Sequence, residues 1–246
     1  LEAAAYAVAD KPDENLERQA DELIDLIADA QDKDGYLNTF FTIKDTEKRW
    51  TNLLEGHELY CSGHLIEAAC TYYEATGKRK LLDIAVKNAE CIYDRFVMQN
   101  TEGVPGHPEI ELALLRLYRL TENKHFLELA KKFIDERGKA PDFWAREAKK
   151  RSWSVWNSDP WGNDYRQSAK PVREQTEAVG HAVRAVYLYT GMADLAAETE
   201  DKELFAACRR LWENIVHRKM YITGGIGSTV QGEAFTVDYD LPPDTA

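Results

Sequence analysis

No apolar run approaches the roughly 18 residues that a membrane-spanning helix needs, so the sequence holds no transmembrane helix. Basic residues are the minority: 31 Lys and Arg stand against 43 Asp and Glu, a formal net charge of −12. A chain this acidic lacks the basic stripe that a phosphate backbone requires, and it repels anionic lipid. Both a nucleic-acid partner and a membrane partner are therefore excluded. Cysteine is scarce. Cys61, Cys70, Cys91 and Cys208 all fall inside helix-periodic stretches, with no C-x-x-C spacing among them. They read as buried reduced thiols, which points to a reducing compartment, the cytoplasm. The chain opens on Leu1 within a helical pattern (LEAAAYAVA), without Met or a signal-like segment, so its true N-terminus reads as missing.

What is present is ample apolar content, 44%, enough for a packed core. Apolar positions recur at helical spacing from about Asp13 to Ala30, where Leu16, Ala20, Leu23, Ile24, Ile27 and Ala30 share one face. Gly35 then breaks the pattern. Further helices are expected over Asn52 to Ala75 and Lys78 to Met98, Pro108 to Leu120 and Lys124 to Glu136, and Arg173 to Met192 and Lys202 to His217. About eight helices, joined as antiparallel hairpins, make residues 1–246 a single all-α domain. Stacked hairpins either stay open as a solenoid or close into a double ring.

A dipeptide marks the repeat. Gly56-His57, Gly106-His107 and Gly180-His181 each open an apolar helical run that ends near a Thr and leads into a second helix. In a closed ring three imidazoles would meet at one mouth. Neutral imidazole donates and accepts hydrogen bonds at once, which suits a sugar or catalytic pocket. The alternative for each is a His at a helix start that bonds neighbouring backbone. A three-His zinc site is a further alternative, unsupported by any His-x-x-x-His or His-x-His pair. His64, two turns beyond His57, reads as core or as support for the site. His125 at a helix start and His217 near a helix end read as structural.

Two segments break the helical pattern. Residues 138–172 form a long aromatic-rich insertion holding Trp144, Trp153, Trp156 and Trp161, either a platform for sugar rings or a cover on the helices. Residues 219–246 carry a Gly224-Gly225-Ile226-Gly227 run, which lacks the Lys-Ser/Thr of a phosphate loop and reads as a tight turn. Beyond it Phe235, Val237, Tyr239 and Leu241 alternate with polar residues at strand period. By that parity Glu233 heads the apolar face. Burial would raise its pKa and suit it to be a general acid, whereas a solvated strand-end Glu is the alternative. Glu174 and Glu177 read as a solvated helix N-terminus, and Asp238 and Asp240 as exposed carboxylates or calcium ligands.

The stretches DGYLNTFF, RWTNLLEGHELYCSGHLIEAA, GVPGHPEIELALLRLYRLT, VREQTEAVGHAVRAVYLYTG, YITGGIGSTVQGEAF and DYDLPPDTA closely resemble glycoside hydrolase family 127, the β-L-arabinofuranosidases. The resemblance runs in order along essentially the whole chain. It implies an (α/α)6 barrel and retaining hydrolysis of terminal β-L-arabinofuranosides, with a zinc-bound Cys as nucleophile and a Glu as general acid/base. The acid/base maps onto Glu233, and the sugar-contacting histidines onto His57, His107 and His181. The family continues past DYDLPxDTA into its zinc-binding Glu and Cys residues, beyond Ala246, so none of the four cysteines here is assigned to zinc. The chain reads as a partial barrel truncated at both ends, inactive alone. Its partner is a small saccharide, and a homodimer is compatible. A non-catalytic sugar-binding scaffold and another (α/α)6 sugar enzyme are the competing readings.

Overall fold

A computed structural model describes residues 1–157 and 161–244. Among them are ten α-helices: α1 (Glu2–Asp10), α2 (Glu14–Ala30), α3 (Thr39–Lys44), α4 (Glu58–Thr76), α5 (Lys80–Tyr93), α6 (Ile110–Thr121), α7 (Lys124–Glu136), α8 (Phe143–Lys150), α9 (Ala182–Thr199) and α10 (Lys202–Asn214). A two-stranded antiparallel sheet joins β1 (Gly180–His181) to β2 (Ala234–Phe235).

Four helical hairpins, α1–α2, α4–α5, α6–α7 and α9–α10, stand side by side in two layers. One layer runs α1, α4, α6, α9 through successive packing contacts, and the other sets α2, α5 and α7 behind it, with α10 behind α9. Composition follows layer. On α4 the buried residues lie all round the helix and many are small, including Ser62, Gly63, Ala68, Ala69 and Cys70, as expected of a helix packed on several sides. By contrast α10 is amphipathic, burying Leu204, Ala207 and Leu211 while Phe205 and Trp212 stay exposed. Side-chain caps secure the second layer, with Asp13, Asn123 and Asp201 accepting first-turn N–H groups of α2, α7 and α10. The α4–α6 contact depends on Gly63, where an added Cβ would lie 1.4 Å from Glu109 Oε2 and 2.8 Å from Ile110 Cα.

The expected eight helices correspond to these four hairpins. Two further helices, α3 and α8, lie in connections, and α8 turns part of the 138–172 insertion into regular structure. Three expectations are corrected. The helix expected from Arg173 begins at Ala182: Val172–Glu174 is a single 3-10 turn, Gly180 takes φ +73°, and the Ala178 N–H is held by Asn214 Oδ1 at 2.9 Å. The strand expected through Leu241 is only Ala234–Phe235, because among the described residues no further strand lies alongside. Tyr239 takes φ +65° and is 70% exposed. Nor is every thiol buried, since Cys61 is exposed. The glycine run is the expected tight turn, closed by Gly224 N–H to Tyr221 O at 2.9 Å and by a Met220–Ile226 bridge. Among the described residues no helix is long and apolar enough to cross a membrane.

Candidate active site

Each Gly-His pair sits at the N-terminal end of an α4, α6 or α9 helix, and each glycine is required by backbone crowding. A Cβ on Gly106 would meet Leu53 O at 2.3 Å and Leu54 O at 2.5 Å, and one on Gly180 would meet Asp164 O at 2.2 Å. The Gly106 contact joins the connections before α4 and α6, and Arg184 Nη1–H to Gly106 O at 3.1 Å ties α9 to them. The imidazoles follow. His107 is the common neighbour, its ring centroid 6.2 Å from His57 and 5.6 Å from His181.

In each ring Nδ1 makes the contact to neighbouring backbone expected at a helix start. His57 Nδ1 lies 2.7 Å from Glu55 O, and His107 Nδ1 lies 2.7 Å from Pro108 O. A carbonyl only accepts, so Nδ1 is a protonated nitrogen in both rings. His181 is the reverse. It caps α9, its Nδ1 accepting from Arg184 N–H at 3.1 Å, so Nε2 is the protonated nitrogen. That N–H donates to Glu233 Oε2 at 3.1 Å. Burial pushes His107 down to about 3, helped by the charge of Arg184 and opposed by the Pro108 carbonyl. Burial and then Arg184 also lower His181, against the pull of Glu233. Both rings are therefore neutral at pH 7 and able to read hydroxyl groups.

Glu233 reaches the row by a route that strand parity did not reveal. The register His181↔Ala234, with Ala182 N–H on Glu233 O at 2.9 Å, sets it beside His181. The end of α10 braces both sides of that ladder. Lys219 Nζ donates to Ala178 O at 2.9 Å and Thr236 O at 2.8 Å, and pairs with Glu177 at 2.7 Å. Asn214 spans from Ala178 to Asp238. Asp238 also pairs with Arg218 at 2.7 Å, so it serves the turn. Of the two alternatives for Glu233, a buried carboxyl and a solvated one, the structure has the solvated one. Its side chain is 77% exposed, on a residue at φ +49° in a turn, away from any apolar strand face.

Several residues in this neighbourhood went unnoticed in the sequence. Tyr60, one turn beyond His57, packs 4.6 Å from His107 and 5.6 Å from His57, and Tyr187 on α9 lies 5.9 Å from His107. Helical spacing from the two histidines was the signal available. His64 stands behind them, 4.5 Å from Tyr60, with Nδ1 3.6 Å from the buried Glu109. His125 stacks on Tyr93 and pairs with Glu90 at the outer surface, apart from the row. His217 falls in the wide turn that ends α10. Glu55 is a further unnoticed residue. Its carboxylate takes Val155 N–H at 2.5 Å, Ser154 Oγ at 2.9 Å and Arg151 Nη2 at 2.8 Å. Burial pushes this carboxyl up, but those donors and Asn52 outweigh it and hold it below the usual range.

The tryptophans divide. Trp144 is core, its Nε1–H on Ser168 Oγ at 3.0 Å, and Trp153 is tied to Thr51. Trp161 stacks on Tyr165 at 4.7 Å, and Trp156 stands at the rim, 6.3 Å from His57. Among the described residues no three His, Cys, Asp or Glu side chains converge as a metal-binding group.

The family model for the β-L-arabinofuranosidase GH127 catalytic domain matches residues 1–246. The chain is 45% identical to a non-reducing end β-L-arabinofuranosidase of Bifidobacterium longum subsp. longum, an alignment covering 100% of this chain and 38% of that protein. The crystal structure of a GH127 β-L-arabinofuranosidase from Geobacillus stearothermophilus T6 superposes with a TM-score of 0.92 at 52% identity, covering 100% of this chain and 39% of that one. A GH127 β-arabinofuranosidase structure follows with a TM-score of 0.84 at 42% identity, over 100% and 37%. The chain thus spans about two fifths of the relatives it matches. The helical hairpins, the three Gly-His motifs and these matches together assign the chain to glycoside hydrolase family 127, within its catalytic domain.

Proposed function

We propose that this chain supplies the sugar-reading and proton-transfer half of a retaining glycosidase that releases terminal β-L-arabinofuranose. The observation that carries the proposal is the His181 Nε2–H to Glu233 Oε2 hydrogen bond of 3.1 Å at the end of a histidine row. His57 and His107 offer Nε2 to sugar hydroxyl groups, and His181 holds one oxygen of Glu233. The other oxygen is left to give its proton to the departing glycosidic oxygen, and later to take one from the attacking water. Exposure lets the carboxyl reload from solvent between turnovers. A bound sugar would bring the low-dielectric surroundings that the free site lacks.

Family resemblance assigns the nucleophile to a zinc-bound cysteine. The described residues offer no fitting ligand group, so no step here runs through the metal. The test is L-arabinose release from a β-L-arabinofuranoside by the full-length protein. We expect Glu233→Gln to lower turnover by two to four orders of magnitude, in the ~10²–10⁴-fold range of general acid–base catalysis. Unchanged turnover in that variant would remove Glu233 from the role.

A further inference from the structure

We propose that Trp156 is the wall that restricts the pocket to a terminal sugar, closing the end of the histidine row opposite the leaving group. The inference rests on the reading above in one respect: Glu233 as the acid fixes the end at which the leaving group departs. From Glu233 the row passes through His181 and His107 to His57. At the Glu233 end a groove of about 580 Å³, lined by Val183, Val186, Ile226 and Thr229, has room for the departing group. At the other end the Trp156 indole stands edge-on to His57, with centroids 6.3 Å apart and planes at 74°.

The way Trp156 is held argues for a purpose. Its side chain is 41% exposed, so core packing does not dictate its place. Its neighbours in the chain are anchored instead. Val155 N–H binds Glu55 Oε2 at 2.5 Å, and Asn157 N–H binds Ser154 Oγ at 3.0 Å, whose hydroxyl in turn binds Glu55. The main-chain oxygen of the same Glu55 accepts the His57 Nδ1–H at 2.7 Å. One buried residue thus sets both His57 and the loop that carries Trp156, which fixes the gap between imidazole and indole. A large flat apolar ring beside a polar row is what sugar pockets use to pack C–H faces. Here its bulk also stands where a further sugar on the bound unit would have to go.

The test compares full-length wild type, Trp156→Ala and Trp156→Phe on two substrates. One is an aryl β-L-arabinofuranoside. The other is the same glycoside carrying a D-glucosyl group on the hydroxyl farthest from the anomeric carbon. Wild type should discriminate against the substituted glycoside by at least about a hundredfold in kcat/KM. Trp156→Ala should narrow that gap at least about tenfold, and Trp156→Phe should retain most of it. An unchanged gap in Trp156→Ala, with the plain glycoside still turned over, would overturn the inference alone. Loss of all turnover in Trp156→Ala would also overturn it, because a wall is not required for the chemistry. Wild type inert on the plain glycoside would overturn the proposed function, and this inference with it.

Discussion

Glu109 offers a perturbation whose size follows from its surroundings. Its side chain is 1% exposed, and neither carboxyl oxygen has a hydrogen-bond partner. Burial pushes its pKa from 4.5 up to about 9, with Glu67, Glu111 and Glu2 adding to the effect. His64, 3.6 Å away, brings no relief, since burial lowers its own pKa. Tyr60, Cys61 and Tyr187 are the other titratable neighbours, and none is cationic. In the unfolded chain this carboxyl loses its proton near 4.5, whereas in the folded protein it keeps it until about 9. Between those values the folded state holds a proton that the unfolded state has released, so stability falls as pH rises. At ~1.36 kcal/mol per pH unit the loss reaches roughly 3 kcal/mol by pH 7. Glu109→Gln is neutral throughout and escapes this slope. Its unmet amide donors cost roughly 1–3 kcal/mol at every pH alike. Urea unfolding of both proteins at pH 5, 7 and 8.5 should show the variant gaining on wild type as pH rises. A stability difference independent of pH would refute the reasoning.

Other perturbations probe the scaffold of the site. Gly180→Ala should cost about 1–2 kcal/mol for the left-handed φ of +73° alone. The clash with Asp164 O adds to this and should displace His181 from Glu233, so activity should fall further than stability, read by kcat/KM beside a thermal melt. Glu55→Gln removes the charge that Arg151 and the Val155 N–H bind. It should raise KM and increase tryptophan quenching by acrylamide as the 151–157 loop loosens, while a change in kcat alone would contradict the clasp. Asp201→Ala loses the α10 cap to Leu204 N–H at 2.9 Å, and with it the Arg173 contact. A cost of about 1–2 kcal/mol in urea unfolding is expected, and none would refute the capping assignment.

The helices were legible because their apolar periods are long, and the structure adds that Asp13, Asn123 and Asp201 cap the second-layer starts. The histidine row was legible from a repeated dipeptide whose glycines turn out to meet backbone. Strand parity misjudged Glu233, because alternation has structural meaning only where another strand lies alongside. Its true neighbour is set by a two-residue ladder to a residue 52 positions earlier, braced by Lys219 and Asn214 on a different helix. No local pattern encodes such a contact. The start of α9 was hidden for the same reason, since Asn214 takes the Ala178 N–H and Gly180 turns the chain. The two roles weighed for each histidine need not exclude each other, because the ring has two nitrogens and only Nδ1 is engaged by neighbouring backbone.

The central claim is that Glu233, held by His181, moves the proton to the leaving group. A series of aryl β-L-arabinofuranosides graded by leaving-group pKa tests it directly, with kcat/KM measured for wild type and Glu233→Gln of the full-length protein. Good leaving groups need no proton, so the variant should approach wild type on the most acidic phenols and fall progressively behind as leaving-group pKa rises. A loss equal across the whole series would contradict proton transfer by Glu233 and leave it only a structural part in the site.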